Sequence, residues 1–424
     1  MERNKIDIRK AFGAGIGGEN FGDDKTEYKF GRIKRLKKEY TAKHPGIQVL
    51  DFGIGEPFEG PDIQTRRATA SAILSPDFDG YPDLGLPELR QEVAKHFKEI
   101  FGIEGIDPET NVQDCWGIKP GLDKLATVFC APGNQRWPRP RIKVAVTTPG
   151  YSVFATQAAK LGAKIIEMPL KKKNNYMPNL SKLTRVKNLH AIYLIIPDNP
   201  SGIDLSRIKD FLFDLVQWCK DNKVALIIDE AYVHLRWLAE KKPFTALSIP
   251  GFIDVGVVCQ SVSKTFNWTG GRVGWIVGDK AIIAAYRKEY EDSSSGQTLA
   301  NQYGAVISLR NFNSIVPKIR TEYQKRFTGL IKVLQPKNFP VSLPDGGFFL
   351  YCPAPISGGG QTFANADDFM DYLLNTHGIV SVPFDDHIRF SVTTKVGEKN
   401  QPETYEQALK LLSERLPNDL AFPA

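Results

Sequence analysis

The sequence lacks the spacing patterns of metal-binding and disulfide-bonded proteins. Its five cysteines include no Cys-x-x-Cys pair, and their number is odd. Most of them lie in apolar segments, which is typical of reduced thiols in a cytosolic protein. The six histidines are scattered, so no cluster with metal-ligand spacing can be assembled. We therefore expect neither disulfide bonds nor a bound metal.

Long apolar runs and a nucleic-acid-binding pattern are also missing. The longest apolar runs, such as residues 192–196, are far too short to cross a membrane. The first five residues lead into no apolar signal core. The net charge of +7 is modest, and no basic stripe interleaved with aromatic residues accompanies it. We expect a cytoplasmic protein that binds neither a membrane nor nucleic acid.

What the sequence does contain is an alternation of apolar strands and amphipathic helices. Its 424 residues, 42% hydrophobic and 24% charged, are enough for a large core and a smaller one. Residues 192–196, 224–228 and 255–259 are continuously apolar, which predicts strands covered on both faces, and residues 143–148 are predicted to form a further short buried strand. Residues 205–222 repeat apolar side chains at helical spacing. The predicted fold class is α/β, with a mainly parallel sheet.

The pattern changes along the chain and predicts separate regions. Residues 1–30 are glycine-rich and charged, which indicates an irregular N-terminal arm. Residues 61–304 contain the strand–helix alternation and form the predicted large domain. After about residue 305 a long polar helix precedes short strands, so residues 31–60 and 305–424 are predicted to form a small α+β domain.

Lys264 is the residue with the most reactive setting. It follows the predicted strand at 255–259, where burial can strip its amine of water, lower its pKa and make it nucleophilic. Ser261, Ser263 and Arg272 lie nearby and suit a phosphate. Together they describe a lysine that holds an aldehyde cofactor as a Schiff base. The alternative is an ordinary solvated loop lysine.

Polar side chains also follow two neighbouring strands. Asn199 comes after the strand at 192–196, and Asp229 directly follows the strand at 224–228. In an open parallel sheet, ligands bind beyond the carboxyl ends of the strands. We therefore expect Asn199, Asp229 and Lys264 to face one site, which weakens the solvated-loop alternative.

The segments around these residues resemble a known family. The Ser-Val-Ser-Lys run ending at Lys264, the Asp-Glu-Ala-Tyr run starting at Asp229 and the Asn-Pro-Ser-Gly turn at Asn199 are similar to those of fold-type I, class I/II aminotransferases. The resemblance covers nearly the whole chain after about residue 30. It implies a pyridoxal 5′-phosphate (PLP) transferase fold, with a large domain whose sheet is covered by helices and a smaller α+β domain.

The resemblance also implies a role for each of these residues. Lys264 carries the cofactor and then acts as the catalytic base, and Asp229 pairs with the pyridine nitrogen. Tyr232 and Asn199 bond the phenolic oxygen, and Arg272 binds the phosphate. Lys264, Asp229 and Tyr232 are the predicted catalytic residues.

Further contacts to the cofactor follow from the same resemblance. Backbone N–H groups of Gly121, Leu122 and Asp123 are expected at the phosphate, with the choice between Leu122 and Asp123 left open. Tyr151 matches the aromatic residue that stacks on the ring. Tyr81 matches a tyrosine that enters the phosphate site of a second subunit, which implies a homodimer with shared active sites.

The substrate contacts are implied by the family in the same way. Arg389 matches the arginine that binds the α-carboxylate of the substrate, a bidentate task that lysine performs poorly. Ile54 and Gly55 belong to a loop that closes over this carboxylate, and Asn199 also contributes. The expected partners are amino acids and 2-oxo acids.

Within the family, the chain most resembles the LL-diaminopimelate aminotransferase group. The N-terminal segment 28–35 and the segment 268–275 after the lysine carry this similarity. Residues 55–57 and 119–121 depart from the group's pattern. An aminotransferase of other specificity, or a PLP-dependent lyase or synthase on the same fold, remains the alternative. A non-catalytic PLP-fold regulator and a nicotinamide enzyme are less favoured, because no room for a DNA-binding domain and no Gly-x-Gly-x-x-Gly motif are found.

Overall fold

The structure is a computed structural model that describes residues 8–22, 29–131, 141–183, 185–204, 207, 209–237, 243–398 and 400–423. The helices are α1 (Lys29–Lys43), α2 (Ile63–Ile73), α3 (Pro87–His96), α4 (Ile118–Cys130), α5 (Val153–Lys160), α6 (Leu180–Leu183), α7 (Lys209–Asn222), α8 (Val262–Thr265), α9 (Lys280–Ser293), α10 (Leu299–Arg310), α11 (Phe312–Leu334), α12 (Ala366–His377) and α13 (Tyr405–Arg415). The strands are β1 (Leu50–Asp51), β2 (Val112–Cys115), β3 (Lys143–Thr148), β4 (Lys164–Pro169), β5 (Leu189–Ile195), β6 (Ala225–Asp229), β7 (Gly256–Ser261), β8 (Gly274–Gly278), β9 (Phe349–Pro353), β10 (Ser357–Gly358), β11 (Gln361–Thr362), β12 (Ile379–Val380), β13 (Val382–Phe384) and β14 (His387–Ser391).

The large sheet carries the fold. Within the described residues it has seven strands in the order β2-β8-β7-β6-β5-β3-β4. Strands β4, β3, β5, β6 and β7 run parallel, whereas β8 and β2 pair antiparallel at one end. Buried clusters of apolar side chains cover both faces, which explains the continuously apolar runs in β5, β6 and β7. The predicted, mainly parallel α/β sheet is confirmed.

A second unit packs around smaller sheets. Strand β14 pairs antiparallel with β13 and β9, and β1 pairs with β12 in parallel. Helices α11, α12 and α13 pack their apolar sides against these strands. Helix α11 belongs to both units, because Ile315 and Val316 lie in the core of the large sheet while Tyr323 and Phe327 lie in the second core. We propose that the second unit begins within α11.

Two predicted segments lie partly outside the described residues. The N-terminal arm is described over residues 8–22, where short 3₁₀ helices are joined by turns. The helix expected at residues 205–222 is described from Lys209 onward, and residues 205, 206 and 208 are not described. The carboxyl ends of β5, β6 and β7 open toward the second unit, which forms the other wall of a cleft.

Candidate active site

A cavity of about 370 Å³ lies at the carboxyl ends of β5, β6 and β7. It brings together most of the residues that the sequence singled out. Those lining it are Gly55, Tyr151, Asn199, Asp229, Tyr232, Ser261, Ser263, Lys264, Arg272 and Arg389. Residues from strand ends, a helix start and the second unit therefore meet in one place, as expected for an α/β sheet.

Lys264 is held by the short helix α8, directly after β7. The hydroxyl of Ser261 caps this helix by accepting a hydrogen bond from the N–H of Ser263 at 3.3 Å. The Lys264 amine donates to the carbonyl of Gly55 at 2.6 Å. Burial lowers the pKa of Lys264 to about 8, partly opposed by the negative charge of Glu56. The amine is therefore much easier to deprotonate near neutral pH than an exposed lysine.

Asp229 is the last residue of strand β6, and both of its carboxylate oxygens accept hydrogen bonds. Its Oδ1 accepts from the N–H of Ala231 at 3.0 Å, and its Oδ2 accepts from the hydroxyl of Tyr193 at 3.0 Å. Burial raises the pKa of Asp229 to about 6, while these two hydrogen bonds and the charge of Lys264 hold it down. Asp229 is a fixed and largely ionised carboxylate at pH 7.

Arg389 projects from β14 of the second unit and is fully buried. Its Nη1 donates to Oδ1 of Asn199 at 3.0 Å, and its Nη2 donates to the carbonyl of Gly53 at 3.2 Å. The guanidinium lies 3.8 Å from the ring centre of Phe349. Within the described residues, its Nε has no hydrogen-bond partner. Burial lowers the pKa of Arg389 to about 10, which still leaves it charged at pH 7.

Arg272 adopts a left-handed backbone conformation with φ of 53°. Its Nη1 donates to the carbonyl of Thr269 at 2.9 Å and its Nη2 to the carbonyl of Trp116 at 3.1 Å. Gly117 has φ of 82°, and a Cβ at this position would lie 2.8 Å from Nη2 of Arg272. The positive φ therefore favours glycine at the start of α4, and a Cβ there would press against the guanidinium of Arg272.

The predicted backbone donors of the phosphate site need a correction. Helix α4 begins at Ile118, so the free N–H groups of its first turn belong to Ile118 and Lys119, and these two residues line the cavity. The N–H of Gly121 already donates to the N-cap carbonyl at 3.2 Å. Leu122 and Asp123 lie further into the helix, where their N–H groups bond the preceding turn. None of these three is placed to donate to a ligand.

The remaining predicted residues differ in their positions. Tyr232 and Tyr151 line the cavity, and the ring of Tyr232 packs edge to face on Phe348 at 5.1 Å. Ile54 is not among the lining residues, but its carbonyl accepts from Thr393 and so fixes the loop that carries Gly55. Tyr81 lies away from the cavity of its own chain, and its side chain is 82% exposed.

Sequence reasoning missed several residues of the site. Phe30, Lys119, Thr269 and Phe349 line the cavity, and Tyr193 supports Asp229 from below. One sequence signal could have identified Tyr193, because its side chain carries a hydroxyl inside a continuously apolar strand. The positions of Phe30 and Phe349 depend on how the second unit packs, which local sequence does not encode.

Other predicted properties can also be compared with the structure. All five cysteines lie among the described residues, where they are buried and unpaired. The described residues contain no group of three or more histidine, cysteine or acidic side chains that could hold a metal. In the same part of the chain, no helix is both long and apolar enough to span a membrane.

The chain is similar to known proteins over most of its length. Residues 47–401 match the family model described as aminotransferase class I and II. LL-diaminopimelate aminotransferase of Methanocaldococcus jannaschii is 31% identical over 94% of both chains, and that of Methanococcus maripaludis is 32% identical over 89% of both chains. Substrate-bound BacF from Bacillus subtilis has a TM-score of 0.82 and 25% identity, covering 94% of this chain and 97% of its own.

A further neighbour supports the fold alone. Aspartate aminotransferase from Thermus thermophilus with maleate has a TM-score of 0.77 and 21% identity, covering 92% of this chain and 96% of its own. The predicted fold type I architecture and the predicted resemblance to the LL-diaminopimelate aminotransferase group are both confirmed. The chain belongs to the aminotransferase class I and II family and is a transaminase that depends on pyridoxal 5′-phosphate.

Proposed function

We propose that this transaminase transfers an amino group from LL-diaminopimelate to 2-oxoglutarate, and that it works in amino-acid biosynthesis in the cytoplasm. The observation that carries the reaction is the meeting of Lys264, Asp229 and Arg389 in one cavity. The substrate is proposed from relatives about 30% identical over most of the chain, which bear the name LL-diaminopimelate aminotransferase. An aminotransferase for another amino acid is the main alternative.

The residues of the cavity fit the cofactor. Arg272, with the close-approaching Gly117 and the free N–H groups at the start of α4, offers positive charge and donors for a phosphate. Asp229 offers an anion for the ring nitrogen, and Tyr151 offers an aromatic face. When bound, pyridoxal phosphate supplies an aldehyde that joins amines and a ring that accepts electrons released at the substrate's Cα.

Arg389 is the proposed binding group for the substrate's α-carboxylate. Its Nε is a buried donor without an acceptor among the residues that the structure describes, and a carboxylate would supply one. Asn199 and the carbonyl of Gly53 hold the guanidinium in place through its other nitrogens. The arginine is thereby oriented before the substrate arrives, which reduces the entropy lost on binding.

Lys264 is the proposed base that moves the proton at the substrate's Cα. A base is most effective when its pKa is close to the working pH, and burial brings the pKa of Lys264 to about 8. The carbonyl of Gly55 fixes the position of the amine before reaction. Asp229 keeps a proton on the ring nitrogen, so that the ring remains able to accept electrons.

Charges of both signs near the cavity suit the far end of the proposed substrate. LL-diaminopimelate carries a second ammonium and a second carboxylate. Lys119 lines the cavity itself. Phe30 lines both this cavity and an adjoining one, whose other lining residues include Lys29, Asp385 and Asp386. We infer that a second amino-acid group is recognised on this side.

The test is a scan of amino donors with 2-oxoglutarate as the acceptor. LL-diaminopimelate is expected to give the highest kcat/KM, with aspartate, alanine and aromatic amino acids at least about tenfold lower, since they lack the second amino-acid group that the charged residues would bind. Higher kcat/KM with another donor would assign the enzyme to that amino acid instead. Product formation that needs no 2-oxo acid acceptor would favour a lyase or synthase.

We also propose a homodimer in which Tyr81 enters the partner's cavity. Tyr81 is 82% exposed, and Leu74 and Ile73 nearby in sequence are 85% and 64% exposed, which is unusual for large apolar side chains. Mixing inactive Lys264→Ala chains with inactive Tyr81→Ala chains should restore activity, because one site of a mixed dimer is then intact. No recovery after proven subunit exchange would contradict shared sites.

A further inference from the structure

Tyr193 lies one layer below the cavity, on the same side of the sheet as Asp229. In the register of β5 and β6, Ile195 is opposite Asp229, and Tyr193 is opposite Ile227. Side chains two residues apart on a strand share a face, so Tyr193 follows Ile195, which lines the cavity, about 7 Å deeper. Tyr193 is 2% exposed and does not line the cavity.

The hydroxyl of Tyr193 reaches up to Asp229. It donates to Oδ2 at 3.0 Å, while the N–H of Ala231 donates to Oδ1 at 3.0 Å. The Tyr193 ring is stacked on Phe154 at 5.4 Å between centres, which fixes where the hydroxyl points. A carboxylate with one donor on each oxygen cannot rotate freely, and its remaining lone pairs are available to the cavity.

We infer that Tyr193 is a positioning residue for the reaction, which orients Asp229 and keeps it ionised toward the cofactor's ring nitrogen. This inference rests on the proposed role of Asp229. A hydrogen bond from a buried neutral donor to a charged acceptor stabilises the ionised form. Burial alone pushes the carboxyl toward its neutral form, so without Tyr193 the carboxylate would lose one of the groups that oppose this effect.

The chain contains a matched tyrosine–aspartate pair that lies away from the cavity. Tyr290 donates to Oδ2 of Asp114 at 3.1 Å, and both residues are buried. Asp114 lies in β2, at the far edge of the large sheet, and neither residue lines the cavity. Tyr290→Phe removes the same hydroxyl from the same kind of acceptor, and it serves as the control for Tyr193→Phe.

The experiment compares Tyr193→Phe, Tyr290→Phe and Asp229→Asn with the wild type. Steady-state kinetics, affinity of the cofactor-free protein for PLP and melting temperature are measured for each. For Tyr193→Phe we expect kcat to fall about tenfold, affinity for PLP to fall about tenfold, and KM for the amino donor to stay within about twofold. Tyr290→Phe should melt a few degrees lower with unchanged kcat and PLP affinity.

Each other outcome has a definite meaning. Tyr193→Phe with wild-type kcat and PLP affinity, or with only the melting loss of Tyr290→Phe, would overturn the positioning role. Full activity of Asp229→Asn would instead overturn the proposed role of Asp229 itself. Loss in Asp229→Asn with none in Tyr193→Phe would leave the proposed function intact and refute this inference alone.

Discussion

Asp229 and Asp114 are two buried aspartates in strands of one sheet, and each accepts a hydrogen bond from a buried tyrosine. Burial raises the pKa of both, to about 6 for Asp229 and about 7 for Asp114. Asp229 faces an open cavity shared with Lys264, whereas Asp114 is closed in by protein groups, among them Gln113 at 2.6 Å. We therefore expect the cavity beside Asp229, rather than a shifted pKa alone, to mark the functional aspartate.

Lysines at the cavity and away from it should differ in the same way as the two aspartates. Replacing the lysine at the cavity gives the largest expected effect on turnover. Lys264→Ala removes both the amine that carries the cofactor and the proposed base, so turnover should fall by at least about a thousandfold. The visible absorbance of the lysine-bound cofactor should also disappear. Both are measured on protein reconstituted with excess PLP.

The control for this change is Lys337→Met. Lys337 is a buried lysine, and its amine donates to the carbonyl of Leu416 at 2.9 Å, away from the cavity. Its loss should lower the melting temperature and leave kcat unchanged. Retained turnover and absorbance in Lys264→Ala would mean that a different residue carries the cofactor.

The two aspartates should differ in their effect on kcat, by less than the change expected for Lys264→Ala. Asp229→Asn removes the anion opposite the ring nitrogen, so kcat should fall about a hundredfold or more. Asp114→Asn should keep kcat within about twofold and lose about 1–3 kcal/mol of stability, because the new NH₂ group opposes one of two donors. Steady-state kinetics and urea unfolding of the two variants measure these effects. Equal losses of kcat in Asp229→Asn and Asp114→Asn would contradict the proposed difference between the two aspartates.

Two lysines on α4 should differ in substrate binding. Lys119 lines the cavity, whereas Lys124 donates to the hydroxyl of Ser293 elsewhere. Lys119→Ala should raise KM for LL-diaminopimelate about tenfold, by loss of a charge-assisted contact, with little change for alanine as donor. Lys124→Ala should change neither value. An equal rise in KM for both donors in Lys119→Ala would point to cofactor binding instead.

The smallest effect on catalysis is expected for a buried polar pair away from the cavity, which should change stability alone. His96 and His234 meet at 3.1 Å between their Nε2 atoms, and burial lowers the pKa of His96 to about 3. The unfolded chain has a histidine pKa near 6.5. As pH falls from 6.5 toward 3, the unfolded state gains protons that the folded state does not, so stability is lost in this window.

This loss should amount to about 1.4 kcal/mol per pH unit for each histidine. Urea unfolding of the cofactor-free protein between pH 4.5 and 7 measures it. His96→Gln should flatten the dependence, and His190→Gln, at an exposed site bonded to Asn188, should not. An unchanged slope in His96→Gln would show that other groups cause the acid sensitivity.

Local sequence was sufficient for the strands and for the groups at their ends. Continuous apolar runs located β5, β6 and β7, and the topology of a parallel sheet then required Asn199, Asp229 and Lys264 to converge. Resemblance to the family added Arg389, which lies far along the chain. The confirmed family and cofactor both follow from this short set of residues.

What escaped prediction depends on backbone conformation and on contacts between distant segments. Helix α4 begins at Ile118 because Gly117 turns the chain with a positive φ, and this shifts the free N–H groups away from Gly121, Leu122 and Asp123. The support of Asp229 by Tyr193 appears only when β5 and β6 are set in register. The periodicity of apolar residues in the sequence predicts neither the first residue of α4 nor the contact between Tyr193 and Asp229.

The most direct test of the central claim is a half-reaction without any 2-oxo acid. Enzyme loaded with PLP is mixed with an excess of LL-diaminopimelate, and both the oxo product and the state of the cofactor are measured. We predict one equivalent of oxo product per active site, with the cofactor recovered as pyridoxamine phosphate and activity restored by 2-oxoglutarate. Continuous product release, with the cofactor still an aldehyde, would contradict transamination.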